Sequence, residues 1–227
     1  IQKYLRPGDK VLDIGAGTGR YSRALAGEGY DVTAVELVEH NLNILKANIK
    51  ENMHIRALQG NALDLSALAD ASFDMTLVLG PMYHLFTETD KLRALSEAVR
   101  VTKPGGILLV AYCISDASII EYGFKAGNIP MLVEKGLLDT ETFVARSDPS
   151  ELFELVRKPD VDRLISGFPV ERLHYVAAEG LSYFMRRDLE EMDQETFDLF
   201  LKYHLTICEN PDLVGATAHS LDVLRKI

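Results

Sequence analysis

The chain of 227 residues has only two cysteines, Cys113 and Cys208. Two thiols cannot form a disulfide framework, and such sparing use suits a reducing compartment, so a cytoplasmic location is expected. Positive charge is short as well: 24 Lys and Arg stand against 34 Asp and Glu, a formal net charge of −10. Nucleic-acid binders present a basic face to the phosphate backbone, and no run of basic residues offsets this acidic average. No apolar stretch reaches the 18 residues that suggest a membrane-spanning helix, and no basic-then-apolar leader is expected. Internal repeats, low-complexity tracts and an obvious linker are all missing, which points to one domain over 1–227. The opening "IQKYLRPGDK" reads like the tail of a helix, so a further N-terminal piece is expected before Ile1.

What is present is ordinary for a globular protein: 47% hydrophobic and 26% charged residues, in a length that buries a sizeable core. The first half alternates regularly. "KVLDIGA", "DVTAVEL", "HIRALQG", "FDMTLVLG" and "GGILLVAY" read as strands, the last entered through a Pro104-Gly105-Gly106 turn. "RYSRALAGEGY", "EHNLNILKANIKE" and "DKLRALSEAVRVT" read as the helices between them. Strands alternating with helices of this length imply right-handed crossovers and a parallel sheet covered by helices. After Tyr112 the rhythm breaks into short helical patterns. One is "DPSELFELVRK", where Ser147 or Asp148 caps a helix with Pro149 at its first position. "VERLHYVAAEG" reads as a strand and "RRDLEEMDQETFDLFLKYHLTICEN" as one long helix, while "TAHSLDVLRKI" fits strand alternation and helical spacing alike and is read as a strand that closes the sheet at its edge. The histidines His40, His54, His174, His204 and His219 show no spacing suited to metal ligands, and no nucleophile elbow occurs.

The segment "VLDIGAGTG", residues 11–19, carries the chemistry. Gly15, Gly17 and Gly19 fall between the first strand and first helix, where open parallel sheets bind ligands and glycine lets backbone approach them. Glu36 ends the second strand 21 residues after Gly15, a position from which a carboxylate can accept both hydroxyls of a ribose. Asp13 is the informative departure. Beside a pyrophosphate it would set like charges together in a poorly screened site. Beside a sulfonium and an ammonium it attracts. The spacing G-x-G-x-G also misses the dinucleotide pattern G-x-G-x-x-G, so the ligand expected here is cationic.

Through these residues the chain resembles the class I S-adenosylmethionine-dependent methyltransferases. The resemblance rests on "VLDIGAGTG", Glu36 in "VTAVEL", "GNALDL", "FDMTLVLG" and "LRALSEAVRVTKPGGILLVAY", in order over residues 8 to 112. It implies a Rossmann-like, doubly wound α/β fold with a seven-stranded, mostly parallel sheet whose last strand is antiparallel, plus an inserted helical cap. It also implies the cofactor S-adenosylmethionine, left as S-adenosylhomocysteine. Asp13, Gly15, Ala16, Gly17 and Gly19 would border its methionine part. Glu36 would hold the ribose and Leu37 the adenine. Asn61 stands where the family commonly has an acid, and its amide oxygen can accept the same hydrogen bond from the adenine amino group. The Ala62 N–H would reach a ring nitrogen, with Leu79 near the sugar or methionine. "GPMYHLF" resembles a bacterial subgroup whose loop reads Gly-Pro-Leu-Tyr-His-Leu. It lacks the Asp/Asn-Pro-Pro-Tyr/Phe pattern of enzymes that methylate amides or base amines. Tyr83 and His84 are the candidate catalytic residues, as wall, acid or base.

The expected organisation is a cofactor-binding half at 1–112, a substrate cap at 113–170, and strands and helix completing the sheet at 171–227. The expected function is methyl transfer to a small-molecule acceptor, without a metal, a nucleic-acid partner or a membrane. Two rivals stand beside it: a nicotinamide-dependent oxidoreductase, and a silent cofactor-binding module of the same fold.

Overall fold

Unbroken apolar runs form strands buried on both faces, and here they make the centre of a sheet. In the computed structural model, residues 1–150, 153–215 and 217–227 are described. The chain runs through β1 (Lys10–Ile14), α1 (Arg20–Gly27), β2 (Asp31–Glu36), α2 (Glu39–Ala47), β3 (Ile55–Gln59) and β4 (Phe73–Val78). After a 3-10 turn at Pro81–His84 come α3 (Glu88–Val101) and β5 (Thr102–Ile114). Then follow α4 (Ser115–Ser118), a π-helix (Ile119–Lys125), α5 (Ile129–Glu134), β6 (Leu155–Val156), α6 (Lys158–Ile165) and β7 (Val170–Ala177). A 3-10 turn (Gly180–Phe184), α7 (Arg186–Glu191), α8 (Gln194–Ile207) and β8 (His219–Lys226) complete it. The strand order is β3-β2-β1-β4-β5-β8-β7, with the short β6 beside β5. Pairings of β1 to β6 are parallel. The last strands are antiparallel: Ile114 N–H donates to the Ala218 carbonyl and Ile227 N–H to the Pro169 carbonyl. This is the expected Rossmann-like class, with a two-residue strand added to the seven; β8, expected at the edge, lies between β5 and β7, and β7 forms that edge.

The chain divides into two compact units, one of residues 1–111, 164–173 and 223–227, the other of 112–163 and 174–222. In the first, β1 buries Val11 through Ile14 in succession and β2 five of its six residues. Helix α1 covers them with Leu25 and Ala26, α2 with Leu42 and Leu45, and α3 with Ala94, Leu95 and Ala98. Thr87 starts α3 because its hydroxyl oxygen accepts the Asp90 N–H at 3.1 Å, satisfying one orphan donor of the first turn. At the other end Lys226 Nζ donates to the carbonyls of Val99 and Thr102, each at 2.7 Å. A cation on the last carbonyls of a helix also complements its dipole. The expected turn at 104–106 lies inside β5. Gly105 takes φ +76°, and the register with β4 shifts between Phe73 and Met75, so the strand bends without ending.

In the second unit two expectations fail. Among the described residues Asp148 caps no helix: its Oδ1 accepts the Ser150 N–H at 2.8 Å in a local turn, and Ser147 Oγ accepts the Leu155 N–H at 2.8 Å. These bonds fold the chain back so that Leu155 and Val156 pair with Cys113 and Ile114, where a helix was expected; residues 151 and 152 lie outside the described ones. The long helix is in fact two. Met192 is extended at ψ 140°, and Asp193 starts α8 anew by accepting the Thr196 N–H at 2.8 Å. A cap residue in the middle of a helical pattern supplies a competing hydrogen bond, and here it wins. The sequence also hid two ion pairs, His174 with Glu209 at 2.8 Å and His219 with Glu179 at 2.5 Å. His219, hydrogen-bonded to Cys113 and to Glu179, is pushed up to about 10 and stays protonated at neutral pH. Among the described residues, no helix is long and apolar enough to cross a membrane.

Candidate functional site

The site residues expected from the sequence lie in the first unit, at the carboxyl ends of β1 to β4. Gly15 and Ala16 donate their N–H groups to the Val35 carbonyl at 2.8 and 3.1 Å, which ties the glycine loop to the end of β2. Glu36 is buried, and its carboxylate closes the same loop. Its Oε2 accepts the Gly17 N–H at 2.7 Å and its Oε1 the Val38 N–H at 2.8 Å. Each carboxylate oxygen has a second lone pair, so acceptor capacity remains for two hydroxyl donors. Leu37, next along, is 57% exposed although large and apolar. The Gly60 N–H bonds the Glu36 carbonyl at 3.1 Å, bringing the loop after β3 alongside. There Asn61 Oδ1 accepts the Leu63 N–H at 3.0 Å, a side-chain turn that leaves Ala62 half-buried.

The loop after β4 packs on the glycine loop directly. A Cβ at Gly15, where φ is +71°, would lie 2.9 Å from the Pro81 ring, and one at Gly80 would lie 3.3 Å from the Gly15 carbonyl oxygen. Tyr83 donates its hydroxyl to the Leu79 carbonyl at 2.7 Å, and its ring stands 5.0 Å from that of His84. The fold therefore brings Asp13, Gly15, Ala16, Gly17, Gly19, Glu36, Leu37, Asn61, Ala62 and Leu79 to one rim, with Tyr83 and His84 on the turn beside it.

Asp13 is buried, and Ser22 Oγ donates to its Oδ2 at 2.6 Å. Burial pushes the Asp13 carboxyl up to about 6, against the lowering effect of the Ser22 hydrogen bonds and with further upward pressure from Glu36. A carboxyl desolvated in this way has a favourable use for a nearby cation. The sequence does not mark Ser22 as a site residue. Its only signal is a hydroxyl in the first turn of the helix that follows the glycines.

Two glycines of the loop differ in what they tolerate. A Cβ at Gly19, where φ is +85°, would lie 2.1 Å from Leu45 Cδ1, whereas one at Gly17 meets nothing within 4 Å. Gly19→Ala is therefore expected to lose roughly 2–5 kcal/mol of stability through left-handed strain and overpacking. Gly17→Ala, at φ +58°, carries the left-handed cost of about 1–2 kcal/mol but no clash, so it should lose less stability than Gly19→Ala while its methyl group enters the open cradle and weakens ligand binding. Thermal unfolding of both variants checks this; equal melting temperatures would refute the distinction.

The family profile described as "Methyltransferase domain" matches residues 12–110. A demethylmenaquinone methyltransferase of Renibacterium salmoninarum is 39% identical over 105 residues, which are 46% of this chain and 41% of that protein. An O-methyltransferase of Aspergillus nomiae is 30% identical over 114 residues, 48% of this chain and 49% of its own. The chain thus matches less than half the length of each of these relatives. Among solved structures, a SAM-dependent methyltransferase from Methanosarcina mazei superposes with a TM-score of 0.65 at 20% identity, over 100% of this chain and 96% of that one. The [4+2]-cyclase SpnF gives a TM-score of 0.62 at 18% identity, over 98% and 76%. Since a cyclase shares the fold, the fold by itself does not name the reaction. The glycine loop, Glu36 and the strand ends that carry them all lie within residues 12–110, the stretch over which this chain matches the methyltransferase-domain family.

Proposed function

We propose that the chain transfers a methyl group from S-adenosylmethionine to an apolar small-molecule acceptor. The observation that carries this reading is the buried Asp13 carboxyl, pushed up to about 6 beside a loop with open space at Gly17. A phosphate-bearing dinucleotide gains nothing there, and a sulfonium with its ammonium gains much. The residues present suit the cofactor. Asp13, with backbone of Gly15, Ala16, Gly17 and Gly19, would hold its methionine part, and Glu36 its ribose. Leu37 would lie against the adenine, Asn61 and Ala62 would meet the adenine edge, and Leu79 would pack near the sugar. When bound, the cofactor supplies a methyl carbon already activated for in-line displacement, so the protein's task is chiefly alignment.

Tyr83 serves as a wall, because its hydroxyl is already committed to the Leu79 carbonyl. His84 is the candidate base for an acceptor that must lose a proton. Residues 1–112 act as the cofactor-binding half, 113–170 supply most of the acceptor's binding surface, and 171–227 complete the sheet. The name of the Renibacterium relative supports a small-molecule acceptor. Nucleic acid is disfavoured by the net charge of −10. Neither Cys113 nor Cys208 is in a disulfide among the described residues, which suits a cytoplasmic setting.

The test is titration calorimetry with S-adenosylhomocysteine and with NAD. Binding of the former at micromolar concentrations with no response to NAD is expected, and the reverse result refutes the reading in favour of an oxidoreductase. Methyl transfer in a metabolite screen separates an enzyme from a silent binding module.

A further inference from the structure

The second unit contains a cavity of about 290 Å³ that the site above does not use. Its wall is largely hydrocarbon, from Ile119, Leu132, Leu138 and Leu155 with the rings of Tyr122 and Phe153. Tyr122 is 53% and Phe153 45% exposed, so two large rings stand wetted at one concave surface. Ligand sites are typically concave, mostly apolar and of about this size. A peptide or protein partner would ask for an extended surface, so a concave pocket of about 290 Å³ suits a small molecule.

The polar part of the lining decides the ligand's charge. Arg146 and Asp148 both line the cavity and carry opposite signs, and the other polar side chains of its lining, among the described residues, are the hydroxyls of Ser118, Tyr122 and Ser147. Ser147 Oγ and Asp148 Oδ1 are already engaged by the Leu155 and Ser150 N–H groups. Neither an anion nor a cation finds a net opposite charge, while a single oxygen at the mouth finds donors.

The backbone supplies a second, independent sign. Ile119 and Tyr122 come from the π-helix Ile119–Lys125, with wide-turn bonds from Ala126 N–H to the Glu121 carbonyl at 3.1 Å and from Asn128 N–H to that of Gly123 at 2.8 Å. Such turns are rare and occur mostly at functional sites. α5 packs close enough that a Cβ at Gly123 would lie 2.8 Å from Ile129 Cδ1, so the widened turn is held in place by its neighbour.

We infer that this cavity binds an uncharged, ring-bearing apolar small molecule by its hydrocarbon body. Calling that molecule the methyl acceptor rests on the methyl-transfer reading; the binding itself does not. Two dyes with one ring skeleton test it: N-phenyl-1-naphthylamine, which is neutral, and 1-anilinonaphthalene-8-sulfonate, which is an anion. The neutral dye should bind saturably at one per chain, at least about tenfold tighter than the sulfonate. Ala145→Trp, which fills the cavity from its wall, and Leu132→Ser, which makes the wall polar, should each weaken the neutral dye by about tenfold or more. S-adenosylhomocysteine affinity, measured on the same samples, should stay within about twofold and so report an intact fold. Non-saturable dye binding, wild-type affinity for the neutral dye in either variant, or tighter binding of the sulfonate overturns the inference. Dye binding that behaves as expected in a protein that ignores S-adenosylhomocysteine upholds the cavity and overturns the methyl-transfer reading alone.

Discussion

Asp13→Asn is expected to stabilise the ligand-free protein at pH 7 and to weaken its hold on S-adenosylmethionine by about 10- to 100-fold. Burial holds the Asp13 carboxyl at about 6, above its ordinary value of 3.8. An acid raised on folding favours the folded state while it is protonated. That contribution is full below the unfolded value, and it is lost as pH rises through about 6. Above that, both states are ionised, and the folded protein carries a penalty of about 3 kcal/mol relative to acid conditions. Asparagine keeps the shape and a partner for Ser22 but cannot ionise, so it removes this pH dependence. Binding runs the other way. A cationic ligand needs the carboxylate, so below pH 6 wild-type affinity should fall by about tenfold per unit as the ligand must first displace a proton. Calorimetry in buffers of different ionisation enthalpy should show proton release near pH 6 and almost none at pH 8. An asparagine variant with unchanged affinity, or binding with no released proton, would remove Asp13 from the site.

Glu36→Ala should weaken cofactor binding by about 10- to 100-fold, since a charged acceptor for hydroxyl hydrogen bonds contributes roughly 1.5–3 kcal/mol. The same carboxylate holds the Gly17 and Val38 N–H groups, so the variant also lowers stability, by about 1–3 kcal/mol. Glu36→Gln separates the two effects. Its single amide oxygen can keep one backbone bond, while its NH2 opposes the other N–H and cannot accept from a ribose hydroxyl. Binding measured at a temperature where both variants are folded gives the ligand's share. A dissociation constant equal to wild type in both would make Glu36 a purely structural brace for the glycine loop.

Both predictions concern residues that are legible in the sequence because their signals are local. Four buried residues in succession, then glycines on alternate positions, then a helix period, identify β1, its loop and α1 within about 20 residues. Glu36 is legible by its distance from that loop, since one helix and one strand separate them. The strand reading of β8 drew on the family resemblance as well, because alternation and helical spacing competed in "TAHSLDVLRKI". What failed did so where a local pattern met a competing partner. The apolar period across Met192 suited one helix, and Asp193 capped a second. The residues after Asp148 had a cap and a proline in the right places, and Ser147 accepted a hydrogen bond from Leu155 instead.

By itself the sequence determined the alternation of strand and helix, the glycine loop at the end of β1, and the carboxylates of Asp13 and Glu36 on either side of it. Each of these follows from spacing along the chain, through side-chain period, backbone freedom and charge. Tertiary structure alone decided that Asp13 is desolvated and bonded by Ser22, and that Pro81 packs on Gly15. It alone decided that Lys226 caps α3 from the far end of the chain, that His219 pairs with Glu179, and that a cavity opens among residues 118–155. Those features depend on which distant groups share a desolvated neighbourhood, where burial shifts a proton and a hydrogen bond must find its partner across space.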